Sequence, residues 1–341
     1  MPTYRAFQVT GQRQFELVER EIVDPEPGRV RVRVLACGVC HSDFISGEGA
    51  RPDPSQPVVP GHEIIGLVDA LGPGVTAWSV GDRVGLGFLG GHCGECAQCR
   101  RGDFVNCLNQ PQPGTTEDGG YAEIVYARAS GLVRVPESMD PIEAAPLLCA
   151  GITTFNALRH ADAPPGAVVA IQGIGGLGHI GLQQAKQLGY RTVAIARGTD
   201  KAELATSLGA DDYIDSAATD PGAALQELGG AAVIVATAAS GASMSPLLAG
   251  LAPRGKLVVV GAAPDPISVD TVELIFGGRS IVGSLTGTPV DNEDNLAFAQ
   301  SHGIKSMNEV MSFEDAPKAY ERMMSGAARF RIVLDIATVD S

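Results

Sequence analysis

No apolar run in this 341-residue sequence reaches the roughly 18 residues that a membrane span needs, and no apolar signal core follows Met1-Pro2-Thr3-Tyr4-Arg5. The expected address is therefore the cytoplasm, with no membrane partner. Basic side chains are also scarce. Against 39 Asp and Glu stand 25 Lys and Arg, a net charge of −14, which argues against nucleic acid and anionic surfaces as partners. There is no internal repeat and no low-complexity tract. At 45% hydrophobic and 19% charged residues, the composition gives no case for disorder. In a cytoplasmic chain the seven cysteines are expected to be metal ligands or buried thiols rather than disulfides.

What is present is length enough for two domains, and 43 glycines that provide tight turns and places for close backbone approach. Residues 29–35 (RVRVRVL) alternate as a half-buried strand should, and 58–68 and 82–86 continue in that style, so the first half reads as β-rich with little helix. Near Asp140 the texture changes. Residues 141–158 read as an apolar helix, followed by candidate buried strands at 168–171, 192–195, 212–214, 232–236, 256–260 and 280–283. Short continuous apolar runs separated by helical stretches predict βαβ units and a doubly wound parallel sheet. Beyond Ser284 come a helix-like stretch at 292–300 and a strand at 330–335.

The strand at 168–171 runs into Gly173-Ile174-Gly175-Gly176-Leu177-Gly178 and then a helix, the context in which a GxGxxG segment binds a dinucleotide. Gly173 permits the turn, Gly175 lets a pyrophosphate lie against the backbone at the helix N-terminus, and Gly178 lets helix and strand pack closely. About 20 residues on, an NAD enzyme places an acid for the ribose hydroxyl. Here the sequence is Ala196-Arg197-Gly198-Thr199-Asp200-Lys201. Arg197 and Lys201 suit a 2′-phosphate, which favours NADP; the alternative leaves both solvated, with Asp200 binding the hydroxyl of NAD.

Cys93, Cys96, Cys99 and Cys107 place four thiols in one short glycine-rich segment, the pattern of a closed and hence structural zinc site. An iron–sulfur cluster is the rival occupant. A second, scattered group comprises Cys40, His62 with Glu63, and Cys149. Two Cys and one His leave a zinc position open, as catalysis requires, although spacing alone does not select these three.

Gly38-Val39-Cys40-His41-Ser42-Asp43, Gly61-His62-Glu63, the four-cysteine loop, Cys149-Ala-Gly-Ile-Thr153 and Gly173–Gly178 together resemble the zinc-containing medium-chain alcohol dehydrogenases. The motifs fall in the same order over essentially the whole chain. Within that family the 196–201 stretch is closest to the cinnamyl-alcohol-dehydrogenase-like branch. The resemblance implies an α/β fold: a GroES-like β-rich catalytic domain at 1–149, completed by 285–341, and a Rossmann doubly wound cofactor domain at 150–284.

It further implies two Zn2+ per chain. The catalytic one would be held by Cys40, His62 and Cys149, with Glu63 behind it as a transient ligand, and the structural one by Cys93, Cys96, Cys99 and Cys107. Asp43 would orient His62, Ser42 would pass the hydroxyl proton toward the ribose, His41 would approach the pyrophosphate, and Thr153 would pack near the nicotinamide. Phe44 and Phe88 would line an apolar pocket, and Cys37 matches no ligand. The implied activity is hydride transfer between NADP, or NAD, and a primary aliphatic or aromatic alcohol or aldehyde, in a homo-oligomer (dimer or tetramer). In the liver-type pattern a His three residues after the Ser completes a proton relay; here that position is Ile45. The alternatives are a polyol or sugar dehydrogenase of the same superfamily, and a zinc-stabilised cofactor-binding protein without turnover.

Overall fold

The strand Arg29–Val39 organises the first half of the chain. Its burial alternates as its sequence does, with Val30, Val32 and Val34 in the core and the intervening arginines facing outward. It belongs to a seven-stranded sheet in which Asn308–Ser312, Arg331–Asp335, Arg29–Val39, Glu63–Leu71, Arg83–Leu86 and Leu132–Arg134 lie in that order, with Ile124–Arg128 also paired to Arg29–Val39. A separate hairpin joins Thr3–Gly11 to Gln14–Glu21. The computed structural model describes residues 1–51 and 53–337.

The chain divides into two compact units, one of Met1–Ile152, Thr286–Ser301 and Lys305–Ser341, the other of Thr153–Leu285 and His302–Ile304. The tail enters the first unit by strand pairing: Ile332 opposes Val39 and Asp335 opposes Ala36 in antiparallel register. In the second unit six parallel strands lie in the order Asp212–Asp215, Arg191–Ala196, Val168–Gln172, Ala231–Ala236, Leu251–Val259, Ser280–Gly283. Counted along the chain this is 3-2-1-4-5-6, the doubly wound dinucleotide-binding order. Val169 and Ile171 pack into one apolar layer and Ala170 into the other, which explains why these strands read as continuous apolar runs.

Three expectations need adjustment. The stretch 58–68 becomes a strand only from Glu63 to Leu71; Val58 makes a lone bridge to Val9. The strand expected at 256–260 begins earlier, at Leu251. The apolar helix expected over 141–158 is three pieces: a turn of helix at Pro141–Ala144, a 3-10 turn at Ala145–Leu148, and the helix Ala150–Arg159. Pro146 cannot donate an amide hydrogen, which disfavours a continuous helix there. Among the described residues no helix is long and apolar enough to cross a membrane.

Candidate active site

The break in that helix falls on Cys149, whose backbone leaves helical geometry at φ −127° and ψ −69°. The carbonyls preceding it are taken up by buried asparagines of the helix Pro289–His302: Asn295 donates to Leu147 O at 3.0 Å and Asn292 to Leu148 O at 3.1 Å. Cys40 follows the end of the strand Arg29–Val39, and His62 directly precedes the strand Glu63–Leu71. Sheet pairing sets Gly38 opposite Glu63, bringing these segments together. The sulfurs of Cys40 and Cys149 lie 3.9 Å apart, within hydrogen-bonding distance and with no disulfide between them. One donor atom from each of Cys40, His62, Glu63 and Cys149 falls within 4.8 Å of the others, and all four residues are buried.

This donor set fits one metal ion. Two thiolates on a tetrahedral zinc with ~2.3 Å bonds stand about 3.8 Å apart. His62 Nε2 and Glu63 Oε2 are buried with no hydrogen-bond partner, a costly state that a cation relieves. The Cys40 thiol is drawn well below its usual range, foremost by the hydrogen bond it shares with Cys149, while that bond and burial push Cys149 up.

Around the donors lies a charged and polar layer. Asp43 Oδ1 is 3.0 Å from His62 Nδ1, and its Oδ2 accepts from the Cys40 amide at 3.0 Å. With Nδ1 engaged, the Nε2 lone pair is the one free to bind metal. The Phe88 ring stands edge-on to His62 at 5.2 Å. Ser42 lies half-buried in the 3-10 turn His41–Asp43; His41 is exposed, its ring 5.8 Å from that of Phe44.

Two further residues were not recognised from sequence. Arg331 is 5% exposed and donates to Glu63 Oε1. Gly38 lies between their strands, where a Cβ would sit 1.9 Å from Glu63 Oε2, so the close approach requires glycine. Burial pushes the Glu63 carboxyl up to about 8 against the pull of Arg331. Tyr121, fully buried, donates to Asp43 Oδ2 at 2.9 Å. Burial, reinforced by Asp43, holds its phenol well above the ordinary range, so it remains a donor. Neither residue belongs to a ligand motif, and a single sequence carries no signal that would have found them. Cys37 is buried in its strand and outside both donor groups.

The second group is local. Sulfur separations are 3.9 Å for Cys93–Cys99, 3.5 Å for Cys96–Cys99 and 3.7 Å for Cys93–Cys107, and no pair is a disulfide. Four sulfurs so close fit a single ion, whereas a cluster divides its ligands among several irons. The loop's own amides point at the sulfurs, Cys96 N to Cys93 and Cys93 N to Cys107, both at 3.4 Å. Amides of Glu95 and Cys96 draw the Cys93 thiol down to about 6, favouring the thiolate.

In the second unit the glycine loop joins the strand Val168–Gln172 to the helix Gly178–Gln187. Gly173 has φ +91°, and a Cβ at Gly178 would lie 1.9 Å from Gly173 O. A Cβ at Gly175 would meet nothing within 4 Å, which leaves that backbone open to a ligand. The amides of Gly176 and Leu177 have no acceptor among the described residues. This cradle fits a pyrophosphate. Beyond the next strand, Arg197 and Asp200 are exposed, while Lys201 Nζ reaches Ile174 O in the glycine loop at 2.7 Å. Gly198 is fixed by its amide to Asp215 Oδ1 and its carbonyl to Tyr213, both at 2.7 Å. Thr153 belongs to this unit and is buried.

Comparison with known proteins places these features in context. Residues 26–137 match the model of the alcohol dehydrogenase GroES-like domain, and residues 176–327 that of the zinc-binding dehydrogenases. The chain is 44% identical over 318 residues to the alcohol dehydrogenase patD of Penicillium expansum, covering 93% of each protein. Among solved structures it resembles a cinnamyl alcohol dehydrogenase of Sorghum bicolor, with TM-score 0.87, 31% identity and 98% of each chain covered. It also resembles a cinnamyl alcohol dehydrogenase of Helicobacter pylori complexed with NADP(H), with TM-score 0.86, 25% identity and 98% of each chain covered.

Proposed function

The chain belongs to the zinc-containing medium-chain alcohol dehydrogenase family, and from that premise we propose that it interconverts a primary aliphatic or aromatic alcohol and its aldehyde, with NADP(H) preferred over NAD(H). The observation that carries the reading is the buried donor set of Cys40, His62 and Cys149, with His62 Nε2 unpartnered. These three would hold the catalytic zinc, and Glu63 would stand by as a fourth donor. Cys93, Cys96, Cys99 and Cys107 would hold a structural one. The catalytic metal, when bound, supplies a Lewis acid that eases loss of the alcohol's proton and polarises the aldehyde carbonyl.

The chain's own groups do the rest. Asp43 fixes the tautomer and angle of His62, and Phe88 walls one side of that imidazole. Ser42 would carry the hydroxyl proton away on oxidation, and a nicotinamide cofactor, when bound, would supply the hydride acceptor. Gly173, Gly175, Gly176, Leu177 and Gly178 cradle the pyrophosphate, with His41 and Thr153 as further cofactor contacts. Arg197 and Lys201 take the 2′-phosphate, a reading supported by the two basic side chains that follow Ala196 where an NAD enzyme places an acid. Residues 1–149 with 285–341 form the catalytic domain and 150–284 the cofactor domain. The protein assembles as a homo-oligomer, dimer or tetramer. The edge strand Ser280–Gly283 and the neighbouring exposed Val272, Ile275 and Phe276 support that reading.

The test is the initial rate of benzaldehyde reduction with NADPH and with NADH, in the protein as purified and in Arg197→Ala. A charge-assisted contact worth about 1.5–3 kcal/mol predicts that the variant loses roughly 10- to 100-fold in kcat/KM for NADPH and little for NADH. Equal rates with both cofactors before mutation would discard the NADP preference; no rate on any aldehyde would discard turnover.

A further inference from the structure

The segments carrying Cys40 and His62 are fastened to each other by a side chain from elsewhere in the chain. Residues 119–121 run alongside 59–61: Gly119 N donates to Val59 O at 2.7 Å, Gly120 N to Gly61 O at 3.0 Å and Tyr121 N to Pro60 O at 2.9 Å. The Tyr121 ring then lies flush against Gly61, where a Cβ would stand 2.6 Å from its Cδ1. From that position the hydroxyl reaches Asp43, the carboxylate that accepts from the Cys40 amide and faces His62 Nδ1.

We propose that Tyr121 is a positioning residue for the metal ligand His62, its hydroxyl acting through Asp43 to fix where Nε2 points. Ring packing needs only a phenyl group. The hydroxyl adds a second donor on Asp43 Oδ2, leaving Oδ1 directed at His62. Without it the carboxylate keeps the Cys40 amide alone on that side and turns more freely about its own axis, and the imidazole turns with it. Because Nε2, Cys40 Sγ and Cys149 Sγ must converge on one point, small rotations of the ring weaken the donor set. The inference rests on the zinc-ligand reading of Cys40, His62 and Cys149.

Tyr121→Phe in the zinc-loaded protein tests it, by metal release to a chromogenic chelator. Exchange with cobalt distinguishes the two sites, since two thiolates with imidazole and four thiolates give different visible spectra. Loss of a direct outer partner costs about 10- to 100-fold in metal affinity. One bond further out, release from the Cys40 site should quicken about threefold to tenfold, with the four-cysteine loop unchanged. Unchanged release from the Cys40 site overturns the proposal, and so does equal quickening at both sites, which would mean general loosening. If the unmutated protein holds no metal at Cys40, His62 and Cys149, the ligand reading itself falls and this inference with it. Should the phenylalanine variant fail to fold, 3-fluorotyrosine at position 121 keeps the ring and makes the phenol a stronger donor. Slower release is then expected, and unchanged release overturns the role.

Discussion

The four-cysteine loop and the Cys40–His62–Cys149 group gather metal donors by opposite means. The loop closes within one short segment, and its own amides reach its sulfurs. Cys93 and Cys96 remain half-exposed. The other group spans strand ends and a helix break far apart in sequence. It is wholly buried, and it leaves His62 Nε2 and Glu63 Oε2 without partners. On the proposed reading, a loop whose sulfurs already receive its own amides serves as a staple, whereas a buried group with unpartnered donors keeps the binding capacity that a reacting centre needs.

The sharpest way to break this comparison is to remove one donor from each site. His62→Ala should lower kcat/KM for aldehyde reduction by at least about 10³-fold, since a Lewis acid worth several kcal/mol is lost at tenfold per ~1.4 kcal/mol. Metal analysis should show the four-cysteine loop still filled, with the protein folded and its melting temperature lowered by only a few degrees as buried Asp43 loses its partner. Activity surviving within tenfold would move the chemistry away from this group. Cys99→Ser, at a buried thiol of the loop, should do the reverse. Loss of a structural metal predicts a melting temperature lower by roughly 10 °C, with kcat per folded molecule within about threefold of the parent. A fall in kcat at unchanged melting temperature would place the loop in catalysis and dissolve the contrast.

The same contrast governs what could be read from the sequence. The cysteine loop and the glycine loop were legible because their chemistry is written in consecutive residues with fixed spacing. The parallel sheet was legible from runs such as 168–171, since strands covered on both faces read as apolar. The interruption of the apolar helix was signalled by Pro146, but the apolar pattern on either side hid it, and nothing local marked the non-helical backbone of Cys149. Tyr121 lies 78 residues from Asp43 and Arg331 lies 268 from Glu63. Their roles arise only when sheet register sets the strands side by side. The resemblance supplied Cys40, His62 and Cys149 as expected ligands, with Asp43 and Glu63 beside them, but not Tyr121 or Arg331, which pack behind those two carboxylates.

A last, smaller effect concerns the one demand that the buried group makes and the loop does not: a proton must leave when alcohol is oxidised. Ser42 is half-buried, and Ile45, also half-buried in the short helix Phe44–Gly47, offers no base to take the proton onward. On the proposed reading the proton would then leave through water or another group. Ile45→His would add a group titrating near pH ~6.5. In its neutral form it accepts the proton; once protonated it cannot. Alcohol oxidation in the variant should therefore gain an acid limb, with rates falling severalfold as pH drops through about 6.5, while aldehyde reduction at neutral pH stays nearly constant. A profile identical to the parent's would mean that position 45 does not lie on the exit route and that the proton leaves by another path.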